Sequence, residues 1–385
     1  MWAERSRLMR RAILSSYISM VAIAVVVNAP PVCLTSIKAE LGLTDSQGGA
    51  LLSALFWGFA LTILITGPLA DRFGVKPFLL SASLLQTAGL AACSLSRSFG
   101  SMISGALLMG MGGGMLEVLV TPLICLLRPG NRTGSVNLCH SFYSSGAVLT
   151  VLSASLLLRA GVSWRVVYLA GTLPPILFGA GYLASPLPRT FLLSDGDGPD
   201  LRALIGPLFA LMLICMLLGG GTELGVAQWI PAYLEEAVGA SKLGGAFGLA
   251  LFSGAMALGR MGMGGISAKI RPLTLLQLLS ASCALLIFFS SLARAVPVIA
   301  LLFGFLGLCV APFWPTIMAI CSERFPGGGA TMFTLLSAAG NGGGMIFPAL
   351  VGLISDRAGL RVGIGTLALL PILLLLTLTA LRRRG

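Results

Sequence analysis

Long apolar segments, separated by short polar connections, run along almost the whole chain. Twelve of them are long enough to cross the hydrocarbon core of a bilayer, which takes about 20 residues of α-helix. The pattern therefore predicts an all-α membrane protein with twelve transmembrane helices. We number these segments spans 1 to 12, with approximate bounds 12–33, 49–69, 78–95, 101–127, 135–158, 164–186, 205–234, 243–265, 273–292, 296–321, 330–353 and 362–381.

The most polar connection lies between spans 6 and 7. Residues 188–202 include Asp195-Gly-Asp-Gly-Pro-Asp200, a composition typical of a flexible linker. We expect this linker to be cytoplasmic and to join an N-terminal six-helix bundle, 1–187, to a C-terminal one, 203–385. Shifting the chain by 195 residues places Lys76-Pro77 on Arg271-Pro272, which indicates two similar halves.

The composition agrees with a membrane protein and restricts the classes of molecule that we expect it to bind. Only 10% of the 385 residues are charged, whereas a soluble protein carries roughly a quarter. The net charge of +12 comes from short basic clusters between apolar segments, with no nucleic-acid recognition module. Most basic residues fall on the side that holds both termini, so we expect that side to be cytoplasmic and the membrane to be the inner one. The eight cysteines have no CxxC spacing, and we expect no metal and no cofactor.

Spans 2 and 3 are joined by a short, highly charged connection, Gly67-Pro-Leu-Ala-Asp-Arg-Phe-Gly-Val-Lys76. Ionised side chains are costly in hydrocarbon, so this turn must lie in water or among lipid headgroups. Its glycines permit a sharp reversal of the chain. The residues that define the turn are Gly67, Asp71, Arg72, Gly74 and Lys76.

This turn resembles the loop signature of the major facilitator superfamily, Gly-x-Leu-Ala-Asp-Arg-x-Gly-Arg-Lys. The resemblance implies two six-helix bundles with a solute site near the membrane midplane and transport by alternating access. It also implies that the loop stabilises the outward-open state from the cytoplasmic side. We expect Arg260 and Lys269 to act in the same way in the second half.

Two acidic residues, Glu117 in span 4 and Glu223 in span 7, lie well inside apolar segments. An ionisable group at membrane depth costs several kcal/mol unless it is paired or hydrated, so it indicates a functional site by default. We interpret both as candidates for binding solute or a proton. For Glu117 the alternative is a structural hydrogen bond to a neighbouring helix, and for Glu223 it is a position closer to the outer surface.

Polar residues also form stripes in spans 5 and 11. Asn137, His140, Ser141 and Ser144 follow the i, i+3, i+4, i+7 pattern of one helix face. Span 11 repeats such a stripe, which ends at Asn341, and we expect the two stripes to line opposite walls of one cavity. For His140 the alternative is a neutral imidazole bonded to a neighbour.

Aromatic residues with nearby amides suit a sugar, whose C–H faces stack while its hydroxyls form hydrogen bonds. Span 7 supplies Gln228, Trp229 and Tyr233, and span 10 supplies Trp314 between two prolines. The alternative for Trp229 is a position in the interfacial aromatic belt.

Three patches are similar to the fucose–galactose–proton symporter branch of the superfamily. They are Gly112-Gly-Gly-Met-Leu-Glu117, Asn137-Leu-Cys-His-Ser-Phe142, and Glu223-Leu-Gly-Val-Ala-Gln-Trp229 followed by Tyr233. The resemblance implies that Glu117 is the proton-linked acid and that Asn137 and Trp229 lie near the solute. Symporters of this branch also use an acid in span 1, where this chain offers only Asn28, so facilitated diffusion stays open.

From these patterns we expect a monomeric secondary transporter of a small polar solute, a monosaccharide with a proton on Glu117, and no enzymatic activity. An exporter of amphipathic compounds is the first alternative, because it would use the same fold. A nutrient sensor that binds without transporting is the second, and an intramembrane enzyme is the third.

Overall fold

The computed structural model describes residues 2–128, 132–187, 204–267, 270–325 and 329–384. Within these ranges, twelve helical segments are long and apolar enough to cross a membrane. The predicted all-α fold with twelve spans is therefore confirmed. The predicted linker, 188–202, lies outside the described residues.

The helices of the first half follow the predicted spans closely. Span 6 differs, because a turn at Gly171-Thr172, just before Pro174-Pro175, divides it into two helices. The helices are α1 (Trp2–Leu41), α2 (Asp45–Phe73), α3 (Val75–Leu95), α4 (Phe99–Leu127), α5 (Arg132–Arg159), α6 (Trp164–Ala170) and α7 (Leu173–Leu183).

The helices of the second half contain more interruptions. Span 10 breaks at Ala311-Pro312, because proline cannot donate to the helical hydrogen-bond ladder. Span 7 ends in a π-helix, Tyr233–Ala237. The helices are α8 (Pro207–Ala227), α9 (Ile230–Ala232), α10 (Lys242–Ser267), α11 (Pro272–Leu292), α12 (Val296–Val310), α13 (Phe313–Arg324), α14 (Gly329–Ala358), α15 (Leu360–Thr366) and α16 (Leu369–Arg384).

The chain forms two compact units. Unit 1 comprises Met1–Cys33 and Ala54–Asp195, and unit 2 comprises Leu34–Ser53 and Gly196–Gly385. The end of α1 and the start of α2 thus pack with the second half, although the predicted bundles put them in the first. We call residues 34–53 the hairpin segment.

Close helix packing at glycine recurs at equivalent places in the two units. In unit 1, a side chain at Gly110 of α4 would collide with the backbone carbonyl of Leu55 in α2. In unit 2, one at Gly307 of α12 would collide with the carbonyl of Phe252 in α10. Small residues let helix backbones approach closely in lipid. Gly110 and Gly307 are 197 residues apart, and so are Leu55 and Phe252. This spacing supports the internal repeat, with an offset two residues longer than the 195 residues found at the connections between spans.

The second repeated feature is an arginine that donates hydrogen bonds to the last carbonyls of a neighbouring helix. In unit 1, Arg165 donates to the carbonyls of Ser94 and Ser96 at the end of α3. In unit 2, Arg361 donates to the carbonyls of Ser291 and Ala293, at 3.3 and 2.6 Å, at the end of α11. The last carbonyls of a helix lack intrahelical donors and carry partial negative charge, so a cation is favourable there.

Candidate functional site

Unit 1 brings Glu117 and His140 to one polar surface. His140 of α5 lies 3.1 Å, from Nε2 to Oγ1, from Thr121 of α4. Glu117 is one helical turn before Thr121 and therefore shares its face of α4. Both Glu117 and His140 are exposed. An acid and an imidazole thus lie at the surface of unit 1 on adjacent helices.

Asn137 and Asn28 are two other predicted residues of unit 1. Asn137 lies in α5, one turn before His140. Asn28 is buried in α1, where its Nδ2 donates to the Ala24 carbonyl at 2.8 Å. This hydrogen bond directs the amide nitrogen of Asn28 to its own helix.

Unit 2 contains an ion pair between Glu223 of α8 and Arg260 of α10. Arg260 Nη2 donates to Glu223 Oε1 at 3.3 Å, and Arg260 Nε donates to the Ala311 carbonyl at 3.4 Å. The side chain of Glu223 is 10% exposed, whereas that of Arg260 is 38% exposed. The second oxygen of Glu223, Oε2, is buried without a hydrogen-bond partner among the described residues.

The role predicted for Arg260 therefore needs correction. The sequence analysis assigns it to a gate with Lys269 at the cytoplasmic end, yet α10 continues to Ser267 and its guanidinium points to Glu223 and Ala311. In an unbroken helix the Ala311 carbonyl would accept from residue 315, but Pro315 has no N–H. The proline leaves a carbonyl inside an apolar segment without its helical hydrogen-bond donor. From the sequence, this missing donor could have indicated that a side chain such as Arg260 binds there. Lys269 lies outside the described residues.

Trp314 and Asn341 lie in the same unit as this pair. The indole ring of Trp314 packs on Gly340 of α14, where a Cβ would come within 2.5 Å of it. Its Nε1 is buried without a hydrogen-bond partner among the described residues. Asn341 is also buried, and its Nδ2 donates to the Ser337 carbonyl at 3.0 Å.

The three candidates at the end of span 7 lie in the interior of unit 2. Trp229 is fully buried and donates from Nε1 to the Pro348 carbonyl at 3.1 Å. Tyr233 is fully buried and donates from its hydroxyl to the Ser290 carbonyl at 2.7 Å. Gln228 is buried as well. Trp229 and Tyr233 thus bind backbone carbonyls between helices, so their expected place on a cavity wall and the aromatic-belt alternative for Trp229 both need correction.

A charged cluster, which the sequence analysis did not anticipate, holds the hairpin segment within unit 2. Lys38 pairs with Asp45 and with Glu236, the latter at 2.6 Å. Lys242 pairs with Glu235 at 2.7 Å, and Thr35 also donates to Glu235. Burial raises the pKa of Glu235 above its ordinary value, by more than the hydrogen bonds from Lys242 and Thr35 lower it.

Asp356 of α14 binds the start of α2. Its two carboxylate oxygens accept the backbone N–H groups of Asp45 and Ser46, at 2.7 and 3.1 Å. The first N–H groups of a helix have no intrahelical acceptor and favour an anion. Asp356 therefore caps a helix that lies 310 residues earlier in the chain.

The residues around Asp356 repeat the pattern of the predicted loop signature. Gly352-Leu-Ile-Ser-Asp-Arg-Ala-Gly359 and the stretch from Gly67 to Gly74 both read Gly-x-x-x-Asp-Arg-x-Gly. The final glycine of each has a positive φ, 83° at Gly359 and 93° at Gly74, and each precedes a new helix. A search of the chain for a second copy of this pattern could have found Asp356.

The first copy of the pattern lies where α2 ends and α3 begins. Gly67 and Arg72 belong to α2, and Asp71 lies between them in the same helix. Lys76 donates to the carbonyls of Leu183 and Ser185, at 2.8 and 3.0 Å, at the end of α7. This copy thus ties α3 to the last helix of unit 1.

The chain matches a family model described as Major Facilitator Superfamily over residues 12–325. It is 30% identical to the niacin transporter NiaP of Acinetobacter baylyi over 145 residues, which are 37% of this chain and 33% of that protein. It is 26% identical to the probable sulfoacetate transporter SauU of Cupriavidus necator over 404 aligned residues, which cover 89% of this chain and 88% of that protein. The chain spans about a third of the length of the first curated relatives it matches.

Solved structures share the fold. A mutant form of the nucleoside transporter NupG has a TM-score of 0.81 and 13% identity, and the match covers 97% of this chain and 99% of that one. At this identity the likeness concerns the fold alone.

Proposed function

Because the chain belongs to the Major Facilitator Superfamily, we propose that it is a secondary transporter that moves a small polar solute across the cytoplasmic membrane by alternating access. In this proposal the protein acts as a monomer with both termini in the cytoplasm. The ionisable side chains inside the spans are its main support. Each of them would cost several kcal/mol in hydrocarbon, and they occur in both units.

Glu117 is the proton-linked acid in this proposal. Its side chain lies at the surface of unit 1, and the Thr121–His140 contact beside it provides further polar groups for a solute or a proton. A carboxyl group is neutral when protonated and charged when deprotonated. It can therefore couple a proton gradient to the change between the two states of the transporter. Loss of this coupling would leave facilitated diffusion.

The charged cluster around the hairpin segment acts as a lock on one of the transporter's states. Contacts made by Lys38, Lys242 and Asp356, through side chains and backbone amides, hold the segment to the rest of unit 2. Each of these contacts is made by a side chain, so it can break and form again during a cycle. The Asp71 loop stabilises the opposite state.

Two classes of solute fit this site, and the observations weigh on them differently. A monosaccharide is the class that the sequence patches indicate, but the burial of Trp229 and Tyr233 removes two of its stacking faces. An organic acid is the second candidate, favoured by the partly exposed guanidinium of Arg260. The names of two relatives point the same way, because niacin and sulfoacetate are both carboxylates.

Counterflow in proteoliposomes tests the proposed function. Vesicles with purified protein are loaded with unlabelled xylose, nicotinate or sulfoacetate, and uptake of the same labelled compound is followed. We expect faster uptake than in protein-free vesicles for at least one compound. Binding of a compound without any counterflow would favour the sensor instead, and counterflow of amphipathic dyes alone would favour the exporter.

A further inference from the structure

We propose that Glu223 and Arg260 form an exchangeable ion pair, in which an organic carboxylate or sulfonate takes Arg260 from Glu223 and the released Glu223 accepts a proton. This inference rests on the proposed function, and it names the solute class and assigns a second proton site in addition to Glu117. The site comprises Arg260 as the anion-binding group and Glu223 as its internal competitor.

The contact between the two side chains is long and incomplete. Their 3.3 Å separation exceeds the roughly 2.8 Å of a strong charge-assisted hydrogen bond, and only one of the two carboxylate oxygens takes part. The other oxygen, Oε2, is buried without a partner among the described residues. Arginine binds carboxylates best through two parallel hydrogen bonds, so a free anion can offer Arg260 a better geometry than Glu223 does.

The two partners also differ in accessibility. The side chain of Arg260 is 38% exposed and that of Glu223 is 10% exposed. The guanidinium thus lies nearer the surface of unit 2 than the carboxylate does, and we expect an anion to contact it first. In the proposed order of events, the anion binds Arg260 first and Glu223 is released afterwards.

Arg260 has a second anchor that keeps it in place during this exchange. Its Nε donates to the Ala311 carbonyl, which is available because Pro315 cannot donate to it. The break between α12 and α13 thus provides an acceptor for the guanidinium that does not depend on Glu223.

The charges balance only if Glu223 gains a proton. Before binding, the pair is neutral; after binding, the solute anion neutralises Arg260 and leaves a buried carboxylate. Such a carboxylate is strongly disfavoured without a cation, so it takes one proton from water and becomes neutral. Among the described residues, Arg260 is the charged group that acts on Glu223, and the helices that pack on α8, namely α12, α13, α14 and α16, add no other charge there.

Proton uptake on binding tests the exchange. Full-length protein in weakly buffered detergent is titrated with nicotinate or sulfoacetate while a pH indicator records the protons bound. We expect about one more proton per bound anion in the wild type than in E223Q. E223Q should still bind the anion, and more tightly, because its internal competitor has lost its charge. R260K should bind the anion about tenfold more weakly than the wild type does.

Equal proton uptake by the wild type and E223Q would overturn the inference, as would wild-type anion affinity in R260Q. Because R260Q leaves Glu223 buried without a cation, the double variant R260Q/E223Q is measured as well; it should fold and fail to bind the anion. Counterflow of xylose with no response to either anion would overturn this inference and leave the proposed function intact. Absence of counterflow for all three compounds would overturn the proposed function itself.

Discussion

The two acids at membrane depth lie in opposite environments. Glu117 of unit 1 is exposed, on the face of α4 that contacts His140 through Thr121. Glu223 of unit 2 is buried and faces Arg260. The charge of Glu223 is therefore linked to the position of Arg260, whereas Glu117 lies at the surface of its unit. Two acids in related units thus have different surroundings, and we expect them to have different roles.

The largest expected effect comes from removing the cation of the buried pair. Arg260→Gln should lower the free energy of unfolding by about 2–3 kcal/mol, because Glu223 would remain buried without a partner. Thermal unfolding of the purified protein measures the change. The additional substitution E223Q should restore most of the lost stability, and a failure of that rescue would argue that Arg260 acts through other contacts.

A smaller effect should distinguish the two copies of the Gly-x-x-x-Asp-Arg-x-Gly pattern. Asp356→Asn removes the negative charge that caps α2, a loss of about 1 kcal/mol. We expect faster amide hydrogen exchange at Asp45 and Ser46 in mass-spectrometric measurements. Asp71→Asn is the matched control in the first copy and should not speed exchange at those two amides, because the Asp71 loop stabilises the opposite state. An equal response to both substitutions would remove the distinction between the copies.

The smallest expected effect concerns Glu235 in the charged cluster. Its pKa in the folded protein is raised above its ordinary value of 4.5, so the folded state binds this proton more tightly than the unfolded state does. The contribution of Glu235 to stability is therefore greatest below pH 4.5 and is lost as the pH rises through the folded pKa. Glu235→Gln should flatten the dependence of the melting temperature on pH just above 4.5 and should not destabilise the protein at about pH 7. A marked loss of stability at neutral pH would instead mean that the pair with Lys242 outweighs the cost of burial.

The sequence predicts the twelve spans because apolar length is a local property of the chain. It also identifies Glu117, His140 and Glu223 as unusual, since a charge or an imidazole in an apolar segment is visible without a structure. The partners of these residues depend on how each helix is rotated against its neighbours, which spacing alone does not determine. For this reason the sequence analysis assigns Arg260 to a gate, and Trp229 and Tyr233 to a cavity wall.

Two features that the sequence analysis missed do have signals in the sequence. Pro315 leaves the Ala311 carbonyl without its helical donor, which indicates that a side chain such as Arg260 must approach. The second Gly-x-x-x-Asp-Arg-x-Gly pattern singles out Asp356. The charged cluster around Lys38 has no comparable signal, because its members come from distant connections that only the folded unit 2 brings together.

The most direct test of the proposed coupling is to measure proton-driven accumulation of solute by the Glu117→Gln variant. Proteoliposomes with wild-type or E117Q protein are given an inward proton gradient, and uptake of the compound identified by counterflow is measured beside counterflow itself. We predict that E117Q loses accumulation along the gradient and retains counterflow. Accumulation at the wild-type level in E117Q would contradict the assignment of Glu117 as the acid that couples the proton to the solute.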